Sequence, residues 1–258
     1  MEVRTVKRKE LEKKLNKLLD IYNFQDYGPN GLQIEGKENI SKIAFAVSAT
    51  ADSVAKAVEQ KADALIVHHG LFWKFHGVRT ITGPFAKRVK PLIENGINLF
   101  GYHLPLDAHP EVGNAACIAQ KLNMKELTAF GDHKGSPTGL RGKFQSSIKV
   151  RELQEQLREI LSHEVLLSSP NPEQVIQSLG IITGGANGDW VHCLRSQTDC
   201  YLTGEMSEHD WHEAKESGIH MFAGGHHATE QFGVQALQAW IEETFAIETI
   251  YIDSKNPA

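Results

Sequence analysis

The chain has 258 residues, enough for one large or two smaller domains. It is 41% hydrophobic and 23% charged with a formal net charge of -5, a balance typical of globular chains that speaks against a general nucleic-acid binder. No apolar run approaches the ~20 residues of a membrane span, and the start MEVRTVKRKELEKK lacks the apolar stretch of a secretory signal, so a cytoplasmic location is expected.

In chain order, residues 5–20 read as an amphipathic helix, with Leu11, Leu15, Leu18 and Leu19 on one face and lysines over the rest. DYGPNGLQIEG (26–36) combines a turn at Pro29–Gly31 with a short strand. A strand at 42–49, a helix at 51–60 and the strand ALIVHHG (64–70) follow. Next come a helix from Pro84 to Asn95 closed by Gly96, the strand INLFGYH (97–103) and a helix over 111–122. This β-α-β-α order predicts a parallel sheet with right-handed crossovers. GDHKGSPTG (131–139) is rich in turn formers and reads as a domain boundary, which gives an α/β lobe over 1–130 and a second over 131–258.

In the second lobe, LRGKF (140–144) reads as a strand and 150–161 as a helix with charges of alternating sign on its outer face. Strands are expected at 164–168, 175–185, 199–204, 220–225 and 247–252, and helices over 188–196, 207–218 and 228–245. The same β-α-β rhythm runs through both halves.

Cysteine is an odd count of three (Cys117, Cys193, Cys200) without CxxC spacing, which predicts buried reduced thiols and no thiolate metal site. Histidine is the distinctive residue. Ten of the 13 histidines fall in the patches 68–76, 103–109 and 209–227. Each of three apolar strands runs directly into such a patch, and ligands in open α/β sheets bind at the carboxyl ends of strands. The first patch offers His68 and His69, and imidazole is the commonest ligand for transition metals. The second, GYHLPLDAHP (101–110), offers His103, Asp107 and His109. Asp107 is either a carboxylate able to bridge two cations or a helix N-cap. The third, AGGHHATEQFG (223–233), places His226 and Glu230 four apart at a helix start. There they share one face, so they form either half of a metal site or an ordinary acidic first turn. His209, His212 and Glu213 lie inside a helix pattern and read as surface or supporting groups. TGGANG (183–188) reads as a phosphate cradle or a plain tight turn. The nitrogen and oxygen donors suit Zn, Mn, Fe or Ni, and their number suits two cations.

PNGLQ (29–33), HHG (68–70), the H-x-x-x-D of 103–107 and the G-H-x-x-x-E of 225–230 occur in this order. With these landmarks the whole chain resembles the YbgI-like dinuclear metal-centre family, the GTP cyclohydrolase 1 type 2 homologues. The resemblance implies two interlinked α/β lobes with mostly parallel sheets, the metal site lying between them, and a toroidal homohexamer. It implies two divalent metal ions per chain on His68, His69, Asp107, His226 and Glu230. Because His227 stands where the family often has an aromatic residue, either member of the His226–His227 pair is a ligand candidate; the spacing to Glu230 favours His226. TGE (203–205) falls at a family position, which makes Glu205 a supporting or acid/base residue, and His103, His109 or Glu205 a proton shuttle.

The activity expected is metal-dependent hydrolysis of a small, nucleotide-like molecule, with opening of the guanine ring and release of formate. The alternatives weighed are a phosphoesterase on the same metals and a metal-binding adaptor or scaffold without turnover. Neither a membrane nor a nucleic-acid partner is expected.

Overall fold

The computed structural model describes residues 4–258. The chain divides into two compact units, one of 1–106 with 233–255 and one of 107–232 with 256–258.

The first unit is built on a five-stranded sheet in the order Glu248–Tyr251, Lys42–Ser48, Ala64–His69, Asn98–Gly101, Gly31–Ile34. The first three pairings are parallel and the last is antiparallel. Parallel strands covered on both faces read as continuous apolar runs. Ile43 to Val47 and Ala64 to Val67 are buried accordingly. The helices Ala51–Glu59 and Gly83–Glu94 contribute Val54, Ala57, Phe85, Val89 and Leu92 to the same core as Ala44, Leu65 and Leu99. Thr50 starts the first of these helices with a reciprocal cap: its hydroxyl accepts the Ser53 N–H at 3.1 Å, and Ser53 Oγ accepts the Thr50 N–H at 2.9 Å. Gly96 follows the second helix at φ +63°, as its placement in the sequence anticipates. The N-terminal helix spans Arg8–Leu18 and buries Leu11 and Leu15.

The second unit carries a six-stranded sheet in the order Lys125–Phe130, Gly139–Lys149, Val175–Ile181, Cys200–Thr203, His220–Ala223, Leu166–Ser168. Only its two central pairings are parallel, and the other three are antiparallel. This sheet is therefore mixed, whereas the first is mostly parallel. Residues alternate between its faces. Cys200, Leu202 and Phe222 join the core beneath the helix Val150–Leu161, while Tyr201 and Met221 pack with Trp190 and Cys193 on the other side.

Two differences from the sequence reading concern the division of the chain. The turn-rich stretch 131–139 is a hairpin connection: Phe130 pairs with Gly139, and His133 and Ser136 exchange backbone hydrogen bonds of 2.8 and 3.0 Å. The division along the chain falls instead between Leu106 and Asp107, so Asp107 belongs with the second unit and His68 and His69 with the first. The chain also returns to the first unit after Phe232, because Glu248–Tyr251 adds a parallel strand beside Lys42–Ser48. Lys125–Phe130 is a strand that the sequence conceals. Five of its six residues are exposed, and Glu126 interrupts it at φ +53°.

All three thiols are free, with Cys193 and Cys200 buried and Cys117 partly so. Burial pushes the Cys117 thiol up to about 11 and the Cys193 thiol up to about 12, which removes both from thiolate chemistry at neutral pH. Among the described residues, no helix is long and apolar enough to cross a membrane.

Candidate metal centre

The first unit contributes three histidines. His68 and His69 end the strand Ala64–His69, and His103 lies just beyond Asn98–Gly101, the neighbouring parallel strand. Each offers one ring nitrogen, and these three atoms lie within 4.8 Å of one another. The ring centroids stand 4.5 Å apart for His68 and His69 and 5.0 Å for His68 and His103.

The surroundings choose the tautomers. His68 is fully buried, and its Nδ1 sits 2.9 Å from the Tyr102 carbonyl oxygen. A carbonyl only accepts, so Nδ1–H donates and Nε2 carries the lone pair a cation needs. His103 Nδ1 lies 2.7 Å from Asp26 Oδ1. Asp26 is buried and also accepts from Tyr27 N, Asn30 Nδ2 and Leu104 N at 2.6, 2.9 and 2.9 Å. Burial would push its carboxyl up. The hydrogen bond and charge of His103, with the bonds from Asn30 and Tyr27, outweigh burial and bring it down to about 2. An ionised carboxylate behind an imidazole is the usual partner of a metal-binding or proton-carrying histidine. His69 Nδ1 contacts Ser48 Oγ at 3.0 Å.

The PNGLQ stretch supports this set. Asn30 Oδ1 accepts the His103 N–H at 2.8 Å. Gln33 Oε1 accepts the Leu71 N–H at 2.9 Å, and the Gln33 amide packs so closely on Gly70 and Gly101 that a Cβ at either would collide with it.

In the second unit, Asp107 is buried and accepts on one oxygen from Asn114 Nδ2 (2.8 Å) and Thr183 Oγ1 (3.1 Å). It ends the short helix Leu104–Asp107, so it is no N-cap there. His226 and Glu230 occupy the first turns of the helix His226–Phe245, with Glu230 buried and His226 Nε2 3.2 Å from Glu230 Oε2. His226 Nδ1 stands 2.5 Å from Glu205 Oε1. Burial would lower the imidazole's affinity for a proton. The bonds and charges of Glu230 and Glu205 reverse that and raise its pKa to about 9. Without a metal, a proton thus fills the place between two carboxylates that suits a cation. The neighbouring His227 gives its backbone N–H to the Ala258 carbonyl at 2.8 Å, and the pairing with Glu230 belongs to His226.

TGGANG is a tight turn that serves the same carboxylates. The Gly184 N–H bonds to Thr229 Oγ1 at 3.1 Å, and the Gly184 carbonyl accepts from Gly204 N at 2.9 Å and Thr203 Oγ1 at 3.1 Å. Gly184 stands at φ +70°, and a Cβ there would run into the Glu230 carboxylate. His109 Nδ1 accepts the N–H groups of Glu111 and Val112 at 3.2 and 3.1 Å, which makes it part of a turn. His209, His212 and Glu213 lie on the exposed side of the helix Glu208–Glu216. Asp26, Asn114, Thr183 and Thr229 support these groups and were not singled out in the sequence. The only sign of Asp26 was its place at the head of a turn.

The donors are imidazoles and carboxylates with defined hydrogen-bond partners, the tautomer being set at His68 and His103, and they fit divalent cations of the Zn, Mn, Fe or Ni class.

Known proteins resemble this chain over nearly its whole length. The family profile of Duf34/NIF3 (NGG1p interacting factor 3) matches residues 6–257. A Haemophilus influenzae protein named GTP cyclohydrolase 1 type 2 homolog is 39% identical over 250 residues, covering 96% of this chain and 98% of its own. An Escherichia coli K12 protein of the same name is 40% identical over 253 residues, covering 98% and 100%. Among solved structures, the protein ybgI, described as of unknown function, superposes with a TM-score of 0.90 at 40% identity, covering 98% of this chain and 100% of its own. A Thermus thermophilus protein does so at 0.86 and 33%, with the same coverage. The chain belongs to the Duf34/NIF3 family.

Proposed function

We propose that this protein is a dinuclear metal-dependent hydrolase in which both donor sets, His68 and His69 with Asp107, His226 and Glu230, serve one centre. The observation that carries the reading is a carboxylate behind one histidine beside the first donor set and behind one histidine of the second. Asp26 stands behind His103 at 2.7 Å, and Glu205 stands behind His226 at 2.5 Å. A storage or scaffold site has no need of a steadied proton carrier beside its ligands.

His68, His69, Asp107, His226 and Glu230 would hold divalent cations, which when bound would supply Lewis-acid activation of water near neutral pH. His103 takes and returns the proton. Asp26 is ionised and fixed by three further hydrogen bonds, so it steadies the positive charge that His103 gains when protonated. Glu205 orients His226, and Thr183 and Asn114 hold Asp107. The substrate is a nucleotide, and the relatives' name suggests opening of a guanine ring with loss of formate. We further propose a cytoplasmic homohexamer, which light scattering tests as a mass about six times the 28.7 kDa of the chain.

The decisive experiment compares metal content by mass spectrometry in wild type, His68→Ala and Glu230→Ala, beside formate and phosphate release from GTP. About two metals per chain, falling in both variants, with formate released, supports the reading. Phosphate release instead makes the protein a phosphoesterase, and metal without either product makes it an adaptor. No metal after reconstitution with zinc and manganese overturns the proposal.

A further inference from the structure

The segment that follows the histidine pair, GLFWKFHGVRTI (70–81), is more apolar outside than its position demands. Phe75 is 68% exposed, Val78 and Ile81 are exposed, and Phe72 is 38% exposed. A run of this kind on a surface marks a binding site more often than chance. Its rings are ordered. Trp73 and Phe75 stack at 5.6 Å with planes only 16° apart. Trp73 gives its indole N–H to the Gly70 carbonyl at 3.1 Å and makes a T-shaped pair with His103, with centroids 5.0 Å apart and planes at 84°. Tyr27, which is also exposed, stands 6.0 Å from the His103 ring.

Lys74 ties the segment to the residues that hold His103. Its N–H bonds to the Tyr27 carbonyl at 2.8 Å, and its ammonium bonds to the Asp26 carbonyl at 2.7 Å. The aromatic wall and the proton-carrying histidine are therefore built on one framework. A second cation borders the wall: Arg79 covers the Phe85 ring at 4.1 Å and contacts His76 Nδ1 at 3.0 Å.

We infer that Trp73 and Phe75 form a stacking platform for a planar heteroaromatic ring in the substrate, with Arg79 placed to meet an anionic group on the same molecule. The inference rests on the hydrolase reading and assigns the residues that hold the ring of its nucleotide substrate. Stacked rings of the Trp73–Phe75 kind accept a base face-on and discriminate little among bases. The adjoining His103 sets the reacting end of the molecule. The exposed face of Phe75 takes the ring, and Trp73 transmits its position to His103.

The test uses the full-length, metal-loaded protein with GTP, guanosine and tripolyphosphate as probes, in calorimetric titrations of wild type, Phe75→Ala and Trp73→Phe. Phe75 is exposed, so its loss leaves the core intact. Phe75→Ala weakens GTP and guanosine binding about ten-fold or more, while tripolyphosphate affinity and metal content stay at wild-type values; Trp73→Phe, which keeps a ring, weakens the two guanine probes less. Equal weakening of all three probes, or of none, overturns the platform. So does wild-type protein that holds its metals but binds GTP no more tightly than tripolyphosphate. A changed molecular mass in Phe75→Ala with unchanged GTP affinity also overturns it and assigns the rings to contact between copies of the chain. Wild-type protein that takes up no zinc or manganese on reconstitution yet binds guanosine through Phe75 sinks the hydrolase reading and leaves the platform standing.

Discussion

Asp26 shows how much one side chain can organise. It is a buried carboxylate that receives four hydrogen bonds, from Tyr27 N, Asn30, His103 and Leu104 N. Its carboxyl is held at about 2 against an ordinary value of 3.8. A depressed carboxylate stabilises the fold above its unfolded pKa and loses that contribution as pH falls through the folded one. Asp26 therefore contributes about 2 kcal/mol at neutral pH. About half of it is gone by pH 3. In metal-free protein, urea denaturation at pH 6 and pH 3 should show Asp26→Asn less stable than wild type at pH 6, with the gap narrowing at pH 3. An unchanged gap would mean that Asp26 acts through shape and not through charge. The residue could not be read from the sequence because its partner His103 lies 77 positions away. His68, His69, Asp107, His226 and Glu230 stand out in the sequence as candidate donors because each closes or follows an apolar strand, or sits one helical turn from its partner.

At the scale of elements, the helix Val150–Leu161 was readable to the residue. Val150, Leu153, Leu157 and Leu161 recur at helical spacing and all are buried. Leu157→Ala removes methyl groups from a core that also holds Leu179, Leu202 and Phe222. It should cost about 2–5 kcal/mol in urea denaturation, without altering metal content. A loss of metal at unchanged stability would show that the core and the centre are coupled in a way this packing does not explain. The edge strand Lys125–Phe130 escaped the same approach. Its pairing comes from backbone hydrogen bonds to Gly139–Lys149, and the side chains KELTA point to solvent, so no apolar period marks it. The long strand Gly139–Lys149 was read only as far as Phe144 for a related reason. Beyond it, Gln145, Ser146 and Ser147 are exposed, and only the ladder keeps the strand going to Lys149.

For the whole molecule, the proposed centre would link metal to fold. A cation that binds only folded protein stabilises it by about 3 kcal/mol at a hundred times its dissociation constant. Stripping metal with a chelator should lower the melting temperature by about 5–10 °C, and adding zinc or manganese back should restore it. A melting temperature indifferent to chelation would exclude a tightly held metal. The same scale explains why a division at residue 131 does not describe the units. The helix His226–Phe245 starts in one unit and ends in the other, and the strand after it joins the sheet begun by Lys42–Ser48.

By itself the sequence determined the α/β class, most of the helices, the reduced thiols and the strand ends that carry histidines and carboxylates able to hold a metal. These depend on local period and residue type, which neighbouring residues reveal. Tertiary structure alone decided the mixed pairing of the second sheet, the return of residues 233–255 to the first unit and the assignment of Asp107 to the second. It also decided the carboxylate behind His103 and the pairing of Glu205, already a candidate from the family resemblance, with His226. Each of those is a contact between residues far apart in the chain, and hydrogen bonds of that reach leave no period in the sequence to read.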